Sequence, residues 1–200
     1  MQLIRRPKVL RRQKARGVSL IEVLVSILLA AVGLLALAGS NVAAIRYSKL
    51  SQYRATASML AKDIGERMRA SKPPANNIPA WTNFAQQYNT VTDFAGQSGL
   101  ISSNQSCYSY AATCSDVNLW GYDLQNWQFL VRSQLPEGSV YISIQAGQSA
   151  ADVWVAWRDP AVANPDENST DARNAANECP NGLGVGADKS IRCSFFRINL

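Results

Sequence analysis

The sequence predicts an α+β fold: one long N-terminal helix, apolar in its first half, packed on a small antiparallel sheet. Three observations predict it. No proline interrupts residues 18–71, and no charged residue falls between positions 23 and 45. Near the other end, residues 140–145 and 152–157 alternate apolar and polar side chains around Gly147, as two antiparallel strands do, and 190–199 reads as a last strand. A length of 200 residues suits one modest domain plus an anchor.

Charge divides the chain. Residues 1–17 hold seven basic residues (Arg5, Arg6, Lys8, Arg11, Arg12, Lys14 and Arg16) and no acid. The remainder carries 13 basic and 14 acidic residues, a net charge of −1, so the overall +6 belongs to the leader. A nucleic-acid partner loses its electrostatic basis with that division. Pro7 leaves the leader without a regular element.

Residues 18–45 are apolar almost all round and long enough as a helix to cross a hydrocarbon core about 30 Å thick. Residues 46–71 are amphipathic: Leu50, Tyr53, Ala57, Leu60, Ile64 and Met68 recur at steps of three and four, with Lys49, Arg54, Lys62, Asp63 and Glu66 mainly elsewhere. That stripe needs a partner, and a following globular domain, 72–200, supplies one. Lys72-Pro73-Pro74 ends the helix.

Residues 72–118, rich in Pro, Asn, Ser, Thr and Gln, read as a long connection with short elements. A short helix over 123–135 follows, capped by Asp123 and burying Trp127, Leu130 or Val131, and Leu135. Pro136-Glu137-Gly138 closes it, and 159–190 reads as a loop. The aromatic residues Trp120, Tyr122, Trp127, Trp154 and Trp157 fall inside periodic segments and read as core. Four cysteines, Cys107, Cys114, Cys179 and Cys193, lie beyond the apolar segment. Three pairings are open, as are four free thiols. Local pairing, Cys107 with Cys114 and Cys179 with Cys193, is the simplest, because each pair sits in one loop-rich stretch. Zinc is disfavoured by the long spacings and the absence of histidine.

The residues that carry the chemistry are Arg16-Gly17-Val18-Ser19-Leu20-Ile21-Glu22. A basic leader ends in glycine, the apolar stretch begins at once, and one carboxylate sits just inside it. Acids within spanning segments are costly and therefore point to function. This pattern resembles the N-terminal signal of type IV prepilins and of the pseudopilins of type II secretion. The resemblance implies cleavage by prepilin peptidase between Gly17 and Val18, methylation of the new amine on Val18, and an assembly role for Glu22. Where major pilins usually begin with phenylalanine, this chain has Val18. An ammonium at Val18 lies four positions before Glu22, so each carboxylate in a helical bundle has an amine to neutralise, its own or a neighbour's.

Residues 55–71, ending Glu66-Arg67-Met68-Arg69-Ala70-Ser71, are similar to the stalk of the PilV-like type IV pilus modification proteins. Trp127, Leu130 and Leu135-Pro136-Glu137-Gly138, followed by Val153-Trp154-Val155-Ala156-Trp157-Arg158-Asp159, resemble their C-terminal domain. The resemblance implies a minor pilin in the tip or priming complex, with major and minor pilins and a pilus-tip adhesin as partners. It further implies roles in pilus assembly, adhesion and twitching motility, in the inner membrane before assembly and at the cell surface after it. Major pilins often soften their helix at a proline. Here Gly33 and Gly39 are the available hinge points, or else sites of close packing with Ala30, Ala31 and Ala38.

Two other readings compete. Ala36-Leu37-Ala38 has the form of a signal peptidase site, which fits a secreted or membrane-anchored periplasmic binding protein. An enzyme finds no phosphate loop and no nucleophile motif, and no cofactor is implied. The acidic stretch 164–171 lacks the EF-hand spacing, and Asn168-Ser169-Thr170 matches a glycosylation acceptor by pattern alone.

Overall fold

A computed structural model describes residues 17–74, 76–99, 107, 114–144, 149–159, 178–185, 188 and 190–200. Helix α1 spans Leu20–Ser71, α2 Ile78–Tyr88 and α3 Asp116–Gln134; strands β1 Ser139–Ile144, β2 Ala150–Arg158 and β3 Ile191–Asn199 form one antiparallel sheet in that order. Among the described residues this is the α+β, pilin-like architecture: a long N-terminal apolar helix packed on a small three-stranded sheet. The chain divides into two compact units, Met1–Ile45 and Arg46–Leu200.

In the second unit, α1 buries Ala57, Leu60, Ala61, Ile64, Gly65 and Met68, the stripe read from the sequence with its small neighbours added. Leu50 and Tyr53, higher on that stripe, are half-buried. Gly65 marks a close approach: a Cβ there would sit 3.1 Å from the Ile198 side chain of β3, which would have to give by a few tenths of an ångström to admit alanine.

Two indole N–H groups fasten α3 to α1. Trp127 Nε1 donates to the Leu60 carbonyl at 2.8 Å and Trp120 Nε1 to the Ser71 carbonyl at 3.0 Å. Each buries a large apolar surface while satisfying its one donor. Trp120 also meets a carbonyl of the last turn of α1, which has no partner within the helix.

Helix α3 is longer than the sequence suggests. It begins at Asp116, and its N-cap is Ser115, whose hydroxyl accepts from the Asn118 N–H at 3.4 Å. Asp123 is therefore not a cap but a mid-helix residue facing α1, where it pairs with Arg67 at 3.4 Å. Of the apolar residues named for this helix, Trp127, Val131 and Leu135 are buried and Leu130 is half-buried.

The connecting region also holds more structure than its composition announces. Asn77 caps α2 by accepting from the Ala80 N–H at 3.2 Å, Pro79 stands in the first turn, and Phe84, Ala85 and Tyr88 are buried. Phe84 then stacks on Trp81 and meets Trp120 edge-on, with centroids 5.1 and 5.3 Å apart.

After α3, the chain turns at Leu135-Pro136-Glu137-Gly138. Glu137 takes φ 48°, and a side chain on Gly138 would collide with the Val131 carbonyl. The turn thus requires a glycine. The sheet's inner face (Val140, Ile142, Ala151, Val153, Val155 and Trp157) completes the main core. Beyond β1, Thr90 pairs with Ile142, and the side chains of Asn89 and Gln97 accept from the Ile144 and Val140 N–H groups. This edge is closed to further pairing. Cys179 is bonded to Cys193 of β3 and Cys107 to Cys114, with Cα separations of 5.1 and 5.8 Å. The first bond pins Leu183 and Cys179 onto the outer face of the sheet, in a small second core with Phe94, Ala156 and Ile191. Gly147 and the stretch 164–171, with Asn168, lie outside the described residues.

Candidate functional site

The site is built at the start of α1. Gly17 and Val18 precede the helix, whose first residue is Leu20, two later than the expected start at Val18. Gly17 has no atom within 4 Å of where a Cβ would stand, and both Gly17 and Val18 are exposed, so the peptide bond between them is open to a peptidase. Ser19 supplies the first carbonyl of the helix, accepting from the Glu22 and Val23 N–H groups at 3.0 and 3.3 Å. Glu22 therefore lies in the first turn, where a carboxylate meets the positive end of the helix dipole.

From Leu20 through Ile45 every side chain is exposed, Leu20 at 87 % and Leu35 at 74 %. The 23 residues from position 23 to 45 carry no charge and extend about 35 Å as a helix. Among the described residues, α1 is the helix long and apolar enough to cross a membrane. It runs unbroken through Gly33 and Gly39, and a Cβ at either would meet no atom of this chain within 4 Å. No contact among the described residues thus requires a glycine at either position.

The globular unit holds three further places with chemical character. The first is a polar network between α1, α2 and α3. Arg67 bridges Asp63 at 3.0 Å and Asp123 at 3.4 Å, and Tyr88 Oη lies 3.3 Å from Ser71 Oγ. Burial pushes the Tyr88 phenol up to about 12. Burial likewise holds the Asp123 carboxyl above its ordinary value, exceeding the attraction of Arg67.

A pH dependence follows. The folded chain binds a proton at Asp123 more tightly than the unfolded chain. Stability at this group therefore rises as pH falls from neutral through the folded-state value, and levels off once the unfolded carboxyl is also protonated. Asp188 acts in reverse. Burial raises its carboxyl, but hydrogen bonds from Ser190 and Arg158 outweigh this and hold it below the usual range. Its contribution is present above the unfolded value and lost as pH falls through the folded one. Asp123→Asn should therefore abolish the acid-side gain, read as the change in melting temperature between neutral pH and about pH 4, near the unfolded carboxyl's own value. Identical shifts in wild type and variant would refute this role.

The second place is a cavity of about 340 Å³ beside Phe94, Arg132, Glu137, Arg158 and Asp188. Its guanidinium groups serve the fold. Arg158 spans Glu137 and Asp188, both at 2.9 Å, and Arg132 donates to the Ser98 carbonyl at 2.6 Å. The pair Arg158–Glu137 fixes the left-handed turn after α3.

The third place is an aromatic row on the sheet's outer face, part of it packed against the second core, and sequence reasoning passed over it. Register sets Tyr141 opposite Trp154 and Trp154 opposite Phe195, making one aromatic row across three strands with centroids 5.6 and 4.8 Å apart. Of the aromatics read as core, Trp120, Trp127 and Trp157 are buried, whereas Tyr122 and Trp154 are only partly so. The group of Trp154, Tyr141 and the exposed Phe195 had one faint signal in the sequence, the alternation of β2.

An exposed apolar helix opens at an accessible glycine and carries one acid in its first turn. The prokaryotic N-terminal methylation motif matches residues 12–38, covering that glycine, the acid and most of the apolar stretch. The motif supports a pilin- or pseudopilin-like protein of structural character, anchored at the inner membrane, processed by prepilin peptidase and interacting with other pilins. No curated protein and no solved structure matches the chain. Among the described residues no cluster of three or more histidine, cysteine, aspartate or glutamate side chains is placed to hold a metal.

Proposed function

We propose that this protein is a minor pilin of the PilV-like kind, cut between Gly17 and Val18, methylated on Val18, and built through its apolar helix into the tip or priming complex of a type IV pilus. The observation that carries the reading is the pairing of an exposed Gly17–Val18 bond with Glu22 in the first turn of an unpartnered apolar helix. Outside the bilayer such a helix must be covered, and a bundle of like helices covers it. Each Glu22 then has a Val18 ammonium to neutralise, which fixes the register of one subunit on the next. Gly33 and Gly39 serve as soft points where the helix can bend on entry to the bundle. Residues 55–71 and the segment from Trp127 to Asp159 favour the PilV-like kind. A tip adhesin and roles in adhesion and twitching motility follow from that likeness.

A type II secretion pseudopilin uses the same anchor and is the second reading. Recovery of the protein in sheared pili, with loss of twitching in its absence, favours the pilin; loss of secretion alone favours the pseudopilin.

The mature N-terminus is expected to be Val18. Edman sequencing and intact-mass measurement of protein from its native host read this directly, including the methyl group. A chain beginning at Gly39, after Ala36-Leu37-Ala38, would overturn the pilin reading in favour of a secreted protein.

A further inference from the structure

We propose, resting on the pilin reading above, that residues 46–49 form a collar that binds the phosphate groups of outer-leaflet phospholipids and so sets the depth at which the Gly17–Val18 bond is offered to the peptidase. Charge returns to α1 at Arg46, directly after the charge-free run, and Tyr47 and Lys49 follow within one turn. All three are exposed, Tyr47 at 69 %. The first residue of α1 withdrawn from solvent is Leu50, which is half-buried. The collar therefore separates the apolar stretch from the stretch that packs in the globular unit. Lys49 Nζ donates to Gln52 Oε1 at 3.3 Å, which leaves two of its three donors for a ligand.

Chemistry and spacing select the partner. Cationic side chains attract phosphate, and a phenol lays its ring on acyl chains while its hydroxyl reaches the headgroup layer. Tyr47 and Lys49 project about 160° apart around the helix axis, at nearly one level. A protein surface meets one side of a helix; a lipid annulus meets every side. The length fits as well. From Leu20 to Tyr47 the axis of α1 runs about 40 Å, against roughly 40–45 Å for a bilayer with its headgroups. With the collar held in the outer headgroup layer, Leu20 stands in the inner one. The Gly17–Val18 bond, just before the helix, then lies at the cytoplasmic surface, and the basic leader holds that side. Arg46, Tyr47 and Lys49 are thus positioning residues for cleavage and touch no reacting atom.

The test uses the full-length precursor in proteoliposomes of phosphatidylethanolamine and phosphatidylglycerol, with prepilin peptidase co-reconstituted. A dansyl amino acid takes the place of Ser48, and its quenching is compared between lipids carrying a nitroxide on the headgroup and lipids carrying one along the acyl chain. In the parent chain the headgroup nitroxide should quench more strongly. Combining Arg46→Leu, Tyr47→Leu and Lys49→Leu should let the dansyl group sink, so that the acyl-chain nitroxide quenches more strongly. Cleavage should then slow at least about threefold. The melting temperature of the globular unit should stay close to wild type, since all three side chains are exposed. The conservative set Arg46→Lys, Tyr47→Trp and Lys49→Arg should restore both depth and rate. Equal depth in the parent and the leucine variant overturns the collar, as does a parent chain that the headgroup nitroxide does not quench. A shifted depth with unchanged cleavage overturns its positioning role. A wild-type chain left uncut at Gly17–Val18 would instead overturn the pilin reading, and the quenching would still decide the collar.

Discussion

Glu22→Ala should leave cleavage and membrane insertion largely intact and remove the protein from pili. The leader and the apolar span are untouched by the change, so the peptidase meets the same Gly17–Val18 bond and the bilayer the same helix. What changes, under the function proposed above, is the bundle. An ammonium at Val18 enters an apolar interior without a carboxylate, and leaving a buried charge unpaired costs about 3–5 kcal/mol. At about 1.4 kcal/mol per tenfold, that is a loss of more than a hundredfold in the assembly equilibrium. Glu22→Gln keeps size and hydrogen bonding but not charge, and should fail nearly as badly. The measurement is processed protein in sheared pili against protein retained in membranes. Wild-type entry of both variants would show that the apolar surface or the globular unit, not the charge pair, recruits the subunit.

Trp127→Ala should have the largest effect on the folded unit. The side chain is fully buried, and its indole N–H is held by the Leu60 carbonyl at 2.8 Å. Truncation leaves a large cavity between α1 and α3, a change that costs about 3–5 kcal/mol. Against the 5–15 kcal/mol typical of a whole domain, that is enough to leave much of the protein unfolded and degraded in the cell. Trp127→Phe separates the two contributions: it keeps most of the volume but loses the donor, and should cost about 1–2 kcal/mol less than alanine. Chemical denaturation of the three proteins gives the comparison. Equal stability of wild type and Trp127→Ala would mean that α3 docks without this side chain.

The N-terminal half of the fold was written plainly in the sequence, because its signals are long-range and one-dimensional. A charge-free run, an unbroken proline-free segment and a stripe at steps of three and four place α1 to within two residues. The strands were likewise legible, as alternation over a few residues suffices. Two helical features were not. Helix α2 hides in a segment rich in asparagine and glutamine, although Trp81, Phe84, Ala85 and Tyr88 carry a helical spacing of their own. The start of α3 was misplaced because Asp123 has the chemistry of a cap, whereas tertiary pairing with Arg67 explains its presence. The N-terminal methylation motif needs only local sequence and was readable from the basic leader, the apolar run and its one acid. The aromatic row needs register: nothing in the order of residues says that Tyr141, Trp154 and Phe195 become neighbours.

The two indole bonds from α3 to α1 have a mechanical consequence. Their acceptors, Leu60 and Ser71, lie eleven residues apart on one helix, roughly 16 Å along its axis. A pull on α1 along that axis loads both fastenings at once, in shear, with the apolar stripe between them. It does not open them one after another, as a pull across the helix would. A load that enters the globular unit along α1 is therefore borne in the direction in which such a joint yields last.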